Sequence, residues 1–242
     1  IIKKAIDIGY RHFDGAVVYE SQSAFGVGRE EYYQGFKEGI IEGLSKNNLQ
    51  RKDIWITFKS SITSQIDYIK SRLSELQYID LWLYHHKRNE SKEKLIPNIQ
   101  NGFVKNWGTS NEYHKADYSQ VIEGKPIHTN QFQARPNDET KSLIEYLNSK
   151  NISVMLFSPI SALEDDVLFS LKYGPSAKYL NSIIKYYLNN YIYGKKNVLM
   201  VGSLSGSSLE ENIRLFNSKV VLSEEENNWL RANYFKMELR PM

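Results

Sequence analysis

The chain has 242 residues, of which 41% are hydrophobic and 13% aromatic, a composition that supplies a substantial core and excludes an intrinsically disordered protein. Its 31 basic and 28 acidic residues are interspersed, so we expect no nucleic-acid partner. The chain has no cysteine, which excludes disulfides and cysteine-based zinc sites and agrees with a cytoplasmic location. No apolar run approaches the roughly 20 residues of a membrane-spanning helix, so we expect no membrane partner.

Along the chain, helical patterns alternate with strand-like segments. Ile1–Ile8 carries apolar residues at helical spacing, and seven later segments rich in β-branched and aromatic residues predict strands. The predicted strands are Arg11–Asp14, Ile54–Phe58, Leu81–His85, Asn106–Thr109, His128–Gln131, Val154–Phe157 and Val198–Val201. The predicted helices between and after them include Ser64–Leu76, Asp138–Asn148, Leu180–Tyr191 and Ser207–Phe216. This alternation predicts a parallel sheet in an α/β protein.

The first helical pattern bears on the number of strands. Because a helix in such an array follows a strand, we expect one further strand before Ile1, and eight strands close a (β/α)8 TIM barrel. An open doubly wound sheet also accepts seven strands. We predict the barrel, with residues 1–242 forming a single domain that lacks its N-terminal hairpin and first strand and is a fragment of a longer polypeptide.

Three polar side chains stand where predicted strands stop. Asp14, Lys59 and His85 each close an apolar run, and Tyr19 follows Asp14 by five residues. The carboxyl ends of parallel strands meet at one rim of a barrel, so these side chains are predicted to share one site.

Several motifs around these residues resemble the aldo-keto reductase family. The segment from Ala5 to Asp14, followed by Val18 and Tyr19, looks like the opening motif of that family, in which the Asp and a Tyr five residues later are catalytic. The segment from Tyr78 to His85 looks like the strand that carries the catalytic His, and Lys59 matches the catalytic Lys. The resemblance implies an NAD(P)H-dependent reductase of small carbonyl compounds, and we expect it to be a monomer.

The four residues together supply the groups that carbonyl reduction needs. Hydride transfer to a carbonyl leaves negative charge on its oxygen, so the reaction needs a proton donor and a nearby positive charge. Tyr19 would give the proton, and the Lys59 ammonium would favour the ionised phenol that remains. Asp14 would hold Lys59 by an ion pair, and a neutral His85 would orient the substrate oxygen or relay a proton.

Other segments are similar to the cofactor-binding parts of the family. Gly102–Asn111 and the pair Asn130-Gln131 match strands that hold the nicotinamide carboxamide, and the segment from Phe157 to Ile160 matches one whose ring stacks on the nicotinamide. The resemblance implies NADP or NAD as cofactor, bound by Ser110, Asn111, Gln131, Phe157, Ser158, Ser203, Ser205, Glu211 and Asn212.

The chain departs from the family pattern at places that bear on specificity. Gly202 and Ser208 stand where many relatives have Lys and Arg for the adenosine 2′-phosphate, so we expect weak discrimination between the two cofactors. His86 replaces an aromatic residue that commonly lines the substrate pocket, and we assign it to substrate binding.

Two other classes of function stay open. One is a non-catalytic member that binds the cofactor as a sensor, comparable to the reductase-like subunits of potassium channels, and the intact set of four residues argues against it. The other is a metal-dependent barrel hydrolase, since His85 and His86 are adjacent and alternation places His12 on the same strand face as Asp14. The sequence contains no further ligand motif, so we assign no metal ligands.

Overall fold

Strands and helices alternate as the sequence pattern predicts. The structure is a computed structural model that describes residues 1–21, 28–60, 65–85, 92–114, 118–160, 174, 177–202, 206–219 and 221–236. The strands are β1 (His12–Ala16), β2 (Trp55–Ser60), β3 (Ile79–Tyr84), β4 (Val104–Ser110), β5 (Val121–Ile122), β6 (Lys125–Pro126), β7 (Thr129–Gln133), β8 (Ser153–Phe157) and β9 (Val198–Leu199). The helices are α1 (Ile2–Asp7), α2 (Arg29–Lys46), α3 (Ile66–Leu73), α4 (Leu95–Gln100), α5 (Asp138–Ser149), α6 (Leu180–Tyr187), α7 (Gly206–Ser218) and α8 (Glu224–Ala232).

All seven predicted strands are present, and they form one sheet in the order β1-β2-β3-β4-β7-β8-β9. The neighbours β1 and β2, β2 and β3, β3 and β4, and β8 and β9 run parallel. Strands β5 and β6 pair separately as a small antiparallel hairpin that the sequence did not predict. Helices α2 and α4 lie between strands, as the alternation predicts, although no bounds are predicted for them, and α8 follows the last predicted helix. No helix in the described part of the chain is long and apolar enough to cross a membrane.

Residues group by their contacts into two compact units. The first comprises residues 1–112, 116–130 and 204–206, and the second comprises 113–115, 131–203 and 207–242. In the first unit, strands β1 to β4 bury Phe58, Leu81, Trp82 and Leu83 almost completely, as expected for a parallel sheet covered by helices. In the second unit, α6 and α7 contribute to an apolar cluster of Ile184, Leu188, Ile192 and Leu215.

The register between β1 and β2 determines which of their side chains lie on the same face of the sheet. Asp14 lies opposite Thr57 and Ala16 lies opposite Lys59 in the pairing of β1 with β2. Paired residues of neighbouring parallel strands point to the same face and residues two apart share a face, so Asp14 and Lys59 project from the same side of the sheet.

Gly108 in β4 is required by a close approach of two backbones. A Cβ atom there would overlap the carbonyl oxygen of Thr129, which is backbone and has little freedom to move. We expect Gly108→Ala to lower the free energy of unfolding by about 1–3 kcal/mol, the usual cost of overpacking. Gly35 in α2 is the control, because a Cβ there meets nothing within 4 Å.

Urea unfolding of both variants provides the measurement. Gly35→Ala should raise the free energy of unfolding by roughly 0.5–1 kcal/mol, since alanine is the better helix former. Equal effects of the two substitutions would show that the contact between Gly108 and Thr129 is unimportant.

Candidate active site

The centre of the site is a buried ion pair between β1 and β2. The Lys59 ammonium donates a hydrogen bond to Oδ2 of Asp14, and the two side chains are only 4% and 9% exposed. Removing two charges from water carries a large desolvation penalty, and a buried ion pair is therefore weak support for stability. β1 continues two residues beyond Asp14, which the sequence placed at its end, and Lys59 is the last but one residue of β2, so the pair lies just before the carboxyl ends of the two strands.

Tyr19 completes this pair from the 3-10 turn Val17–Ser21, which directly follows β1. The Lys59 Nζ atom lies 5.1 Å from the centre of the Tyr19 ring. Burial by itself lowers the pKa of Lys59, but the Asp14 carboxylate and the Tyr19 phenol, which both hydrogen-bond to the ammonium, outweigh it and raise that pKa. Lys59 is therefore a charged group in contact with a phenol, which is the arrangement that the sequence predicts.

His85 follows β3 directly and is 9% exposed. Its backbone N–H donates to the carbonyl of Ser60 at 3.0 Å, and its carbonyl accepts from the side-chain amide of Asn111 at 3.0 Å. These two bonds connect the end of β3 to the end of β2 and to the residue after β4. They give Asn111 a part in positioning His85, which the sequence does not reveal.

Ser110, in the first unit, has surroundings that fit a cofactor contact. It is the last residue of β4 and 4% exposed, and its buried hydroxyl has no hydrogen-bond partner among the described residues. A buried hydroxyl without a partner is costly, so it suits a ligand that brings its own polar group, such as the carboxamide of a nicotinamide.

Asn130, beside the predicted cofactor residue Gln131, has its partners within the first unit. Its Oδ1 atom accepts from the Thr109 hydroxyl at 3.1 Å, and its amide donates to the Glu112 carbonyl at 2.7 Å and to the Tyr118 hydroxyl at 3.1 Å. Asn130 therefore supports the segment after β4.

Among the described residues, the second unit carries five of the predicted cofactor residues. Gln131 is buried in β7, and Phe157 ends β8 with Ser158 after it. Glu211 and Asn212 lie in α7, where Glu211 accepts hydrogen bonds from Arg214 at 2.7 and 2.9 Å. The Arg214 guanidinium lowers the pKa of the Glu211 carboxyl.

Three predicted site residues, Ser203, Ser205 and His86, lie outside the described residues. The assignments of the two serines to the cofactor and of His86 to the substrate stay predictions.

His12, which shares a strand face with Asp14, makes contacts that differ from those of a metal site. His12 Nε2 lies 2.7 Å from the Thr57 hydroxyl, while Asp14 binds Lys59. Burial lowers the pKa of His12 to about 4 against the raising effect of Asp14 and Asp80, so His12 is neutral at physiological pH. Within the described ranges, no three His, Asp or Glu side chains form a group suited to a metal ion.

Tyr32 contributes to the site in a way that the sequence did not indicate. Its hydroxyl, on α2, accepts a hydrogen bond from the backbone N–H of Ala16 at 3.2 Å. This bond fixes the end of β1 just before the turn that carries Tyr19. A tyrosine on a neighbouring helix has no sequence spacing that would link it to the site.

A family model named "Aldo/keto reductase family" matches residues 1–234. The chain belongs to the aldo/keto reductase family. It is accordingly an NAD(P)H-dependent oxidoreductase, and its fold is the (β/α)8 barrel of that family, as the sequence predicts.

Individual relatives with reductase or oxidoreductase names agree with this membership. The NADPH-dependent codeinone reductase 1-2 of Papaver somniferum is 25% identical over 256 residues, which cover 92% of this chain and 77% of that protein. The uncharacterized oxidoreductase YtbE of Bacillus subtilis is 31% identical over 172 residues, covering 66% of this chain and 57% of the relative.

Solved structures agree in fold. The aldose reductase of Giardia lamblia superposes with a TM-score of 0.73 at 21% identity, covering 99% of this chain and 88% of that one. An aldo-keto reductase of the silkworm Bombyx mori in complex with NADP superposes with a TM-score of 0.62 at 21% identity, covering 96% of this chain and 80% of the other.

Proposed function

We propose that this aldo/keto reductase reduces an aldehyde or ketone to an alcohol, with Tyr19 as the general acid. The observation that carries the proposal is the buried Lys59 ammonium, which is held by Asp14 and hydrogen-bonded to Tyr19. A proton donor needs a neighbour that stabilises the anion it leaves behind, and Lys59 is in contact with the phenol that would become that anion.

Each side chain then has a defined task. When bound, the reduced nicotinamide supplies a hydride to the carbonyl carbon of the substrate. The carbonyl oxygen takes the proton of the Tyr19 hydroxyl, so that the substrate leaves as an alcohol and Tyr19 becomes a phenolate. Lys59 stabilises the phenolate by charge and hydrogen bonding, and Asp14 keeps Lys59 in place. His85, in the neutral form, donates a hydrogen bond that orients the substrate oxygen.

The hydroxyl of Ser110 supports the proposed cofactor site, because it is buried and has no partner among the described residues. We assign Ser110, Asn111 and Gln131 to the carboxamide, the ring of Phe157 to the nicotinamide face, and Glu211 with Asn212 to the adenine. Ser158, Ser203 and Ser205 are assigned to the same cofactor, and His86 to the carbonyl substrate. The single domain, the monomeric state and the cytoplasmic location also stay predictions.

Turnover tests this proposal against a non-catalytic sensor. The purified protein is mixed with NADPH and a panel of small aldehydes and quinones, and the loss of NADPH absorbance is followed. Reduction of at least one aldehyde that depends on the Tyr19 hydroxyl supports the proposal. Binding of NADPH, seen as a change in its fluorescence, without turnover of any carbonyl would favour the sensor.

Cofactor preference provides a separate prediction. A 2′-phosphate gains most from Arg or Lys, because charge-assisted hydrogen bonds are roughly twice as strong as neutral ones, and Gly202 and Ser208 offer no charge. Arg214 lies further along the same helix, but it is bound to Glu211. We expect the dissociation constant for NADH to lie within about tenfold of that for NADPH, a difference of ~1.4 kcal/mol.

Dissociation constants of both reduced cofactors, measured at one ionic strength, check this prediction. A preference for NADPH above about a hundredfold would contradict it. In that event Lys4 is the side chain to test, because its ammonium lies against Gly206 at the start of α7. The Lys4 Nζ atom would be 2.5 Å from a Cβ placed on that glycine. A Lys4→Gln variant that lost the preference would locate the missing charge on α1.

A further inference from the structure

The turn after β8 holds Phe157 in an unusual backbone setting. Ser158, which follows Phe157, has a φ of 50°, in the left-handed region that L-residues other than glycine rarely adopt. The next residue is Pro159, whose ring restricts the backbone of Ser158 further. A conformation of this kind persists only when the surrounding structure fixes it.

Hydrogen bonds fix the turn on both sides of Ser158. The carbonyl of Phe157 accepts from the backbone N–H of Ala134 at 2.8 Å. The carbonyl of Pro159 accepts from the hydroxyl of Tyr234 at 2.8 Å, and this bond is buried. Tyr234 stands 75 residues further along the chain, in the 3-10 turn Tyr234–Lys236 after α8.

A second tyrosine supports the first. The hydroxyls of Tyr187, on α6, and Tyr234 lie 3.1 Å apart, and both residues have no exposed surface. Each phenol has one proton, and Tyr234 gives its proton to Pro159, so Tyr187 donates to Tyr234. The result is a directed chain from Tyr187 through Tyr234 to the carbonyl of Pro159.

Two buried phenols in series are more than the packing of this region needs. A phenylalanine ring fills nearly the same volume, whereas a buried hydroxyl is unfavourable unless it is hydrogen-bonded. What the hydroxyls add is a fixed direction for the one carbonyl that follows the left-handed residue. We propose that Tyr234, supported by Tyr187, is a positioning residue that fixes the turn and thereby the direction of the Phe157 ring. This inference rests on the proposed function, in which that ring stacks on the nicotinamide.

The readout follows from the chemistry of the cofactor. NADPH and NADH share the nicotinamide and differ only at the adenosine, so misplacing Phe157 weakens both to the same extent. Tyr234→Phe frees the Pro159 carbonyl, so it should raise both dissociation constants by about three- to tenfold, the usual effect of losing one hydrogen bond at the turn, and leave their ratio unchanged. Tyr187→Phe should act in the same direction with a smaller effect, and it serves as the second variant if Tyr234→Phe folds poorly.

Tyr186→Phe is the matched control. Tyr186 belongs to the same aromatic cluster, with its ring 5.2 Å from that of Tyr187, but its hydroxyl lies 3.2 Å from that of Tyr191. Its removal should leave both dissociation constants within about twofold of the wild-type values, although it costs one half-buried hydrogen bond where Tyr234→Phe loses two buried ones. Equal weakening by Tyr186→Phe and Tyr234→Phe would reduce the effect to general destabilisation and overturn the proposal.

Phe157→Leu separates the inference from the proposed function. If Phe157→Leu weakens both cofactors and Tyr234→Phe adds nothing in that background, the two residues act through one contact and the positioning role is supported. If Phe157→Leu weakens binding but Tyr234→Phe alone has no effect, the positioning role is wrong and the stacking role stands. If Phe157→Leu leaves both dissociation constants unchanged, the stacking role is wrong and the positioning role fails with it.

Discussion

Replacing Tyr19 with phenylalanine should lower kcat for aldehyde reduction by about 10²- to 10⁴-fold, the contribution expected of a positioned general acid. The ring and its contact with the Lys59 ammonium are kept, whereas the hydroxyl is lost with its transferable proton and its hydrogen bond to Lys59. Because the hydroxyl acts on the substrate oxygen in the transition state, the dissociation constant of NADPH should stay within about twofold of the wild-type value.

Tyr68→Phe is the control for this experiment. Its hydroxyl, in the same unit, donates to the exposed carboxylate of Glu30 at 3.1 Å, so the variant removes one phenolic hydroxyl away from the site. We expect wild-type turnover from Tyr68→Phe. Near-normal aldehyde reduction by purified Tyr19→Phe would show that the proton comes from another group.

The sheet and the central contact of the site were predictable because strong local signals mark them. Runs of β-branched and aromatic residues bound β2 and β3, and a polar residue at the end of each run marks the rim of the barrel. Strand order followed chain order, so Asp14 and Lys59 came to lie on neighbouring strands and form the predicted ion pair. The two residues are 45 positions apart, so their contact follows from the parallel pairing of β1 with β2 and not from spacing along one strand.

The bounds of helix α2 are not predicted from the sequence, because its glycines weaken the helical pattern. Glycine lowers helix propensity, and α2 contains Gly35, Gly39 and Gly43. In the structure a Cβ on Gly39 or Gly43 would meet the side chain of Ile2 or Ile6 at 2.9 or 2.5 Å, so these glycines let α1 pack closely. The close packing of α1 on α2 explains why glycine occupies positions 39 and 43. This packing exists only once both helices are formed, so the sequence alone does not show it.

The supporting contacts of the site were unpredictable for a related reason. The bond from Asn111 to the His85 carbonyl and the chain from Tyr187 through Tyr234 to Pro159 join residues far apart in sequence. Neither has a fixed spacing that a motif would record. With 17 tyrosines in the chain, residue type alone does not single out the ones with a role.

The ion pair between Asp14 and Lys59 allows a prediction that separates stability from catalysis. Asp14→Asn leaves a buried ammonium without its carboxylate, and Lys59→Met leaves a buried carboxylate without its ammonium. Each should lower the free energy of unfolding by about 3–5 kcal/mol, the usual cost of breaking a buried pair. The double variant buries neither charge, so its loss should be much smaller than the sum of the two.

Activity should follow a different pattern in the same three proteins. Lys59 stabilises the Tyr19 phenolate and Asp14 holds Lys59, so all three variants should lose most of their turnover even where stability is recovered. Urea unfolding and aldehyde reduction, measured on the four proteins of the cycle, give both quantities. A double variant that was as unstable as the sum of the single variants would show that the pair is retained for stability.

The pH dependence of the free energy of unfolding shows whether the charge on Lys59 stabilises the folded protein. The pKa of Lys59 is raised in the folded protein above the ordinary value of 10.5, because the contacts with Asp14 and Tyr19 outweigh burial. Its favourable contribution is therefore fully present below about pH 10.5 and is lost as the pH rises through the folded-state pKa. Wild-type stability should fall over that alkaline interval more steeply than the stability of the double variant, which has no ammonium at position 59. Parallel unfolding curves for the two proteins from pH 8 upward would mean that Lys59 is not charged in the folded state, and the proposed stabilisation of the Tyr19 phenolate would lose its basis.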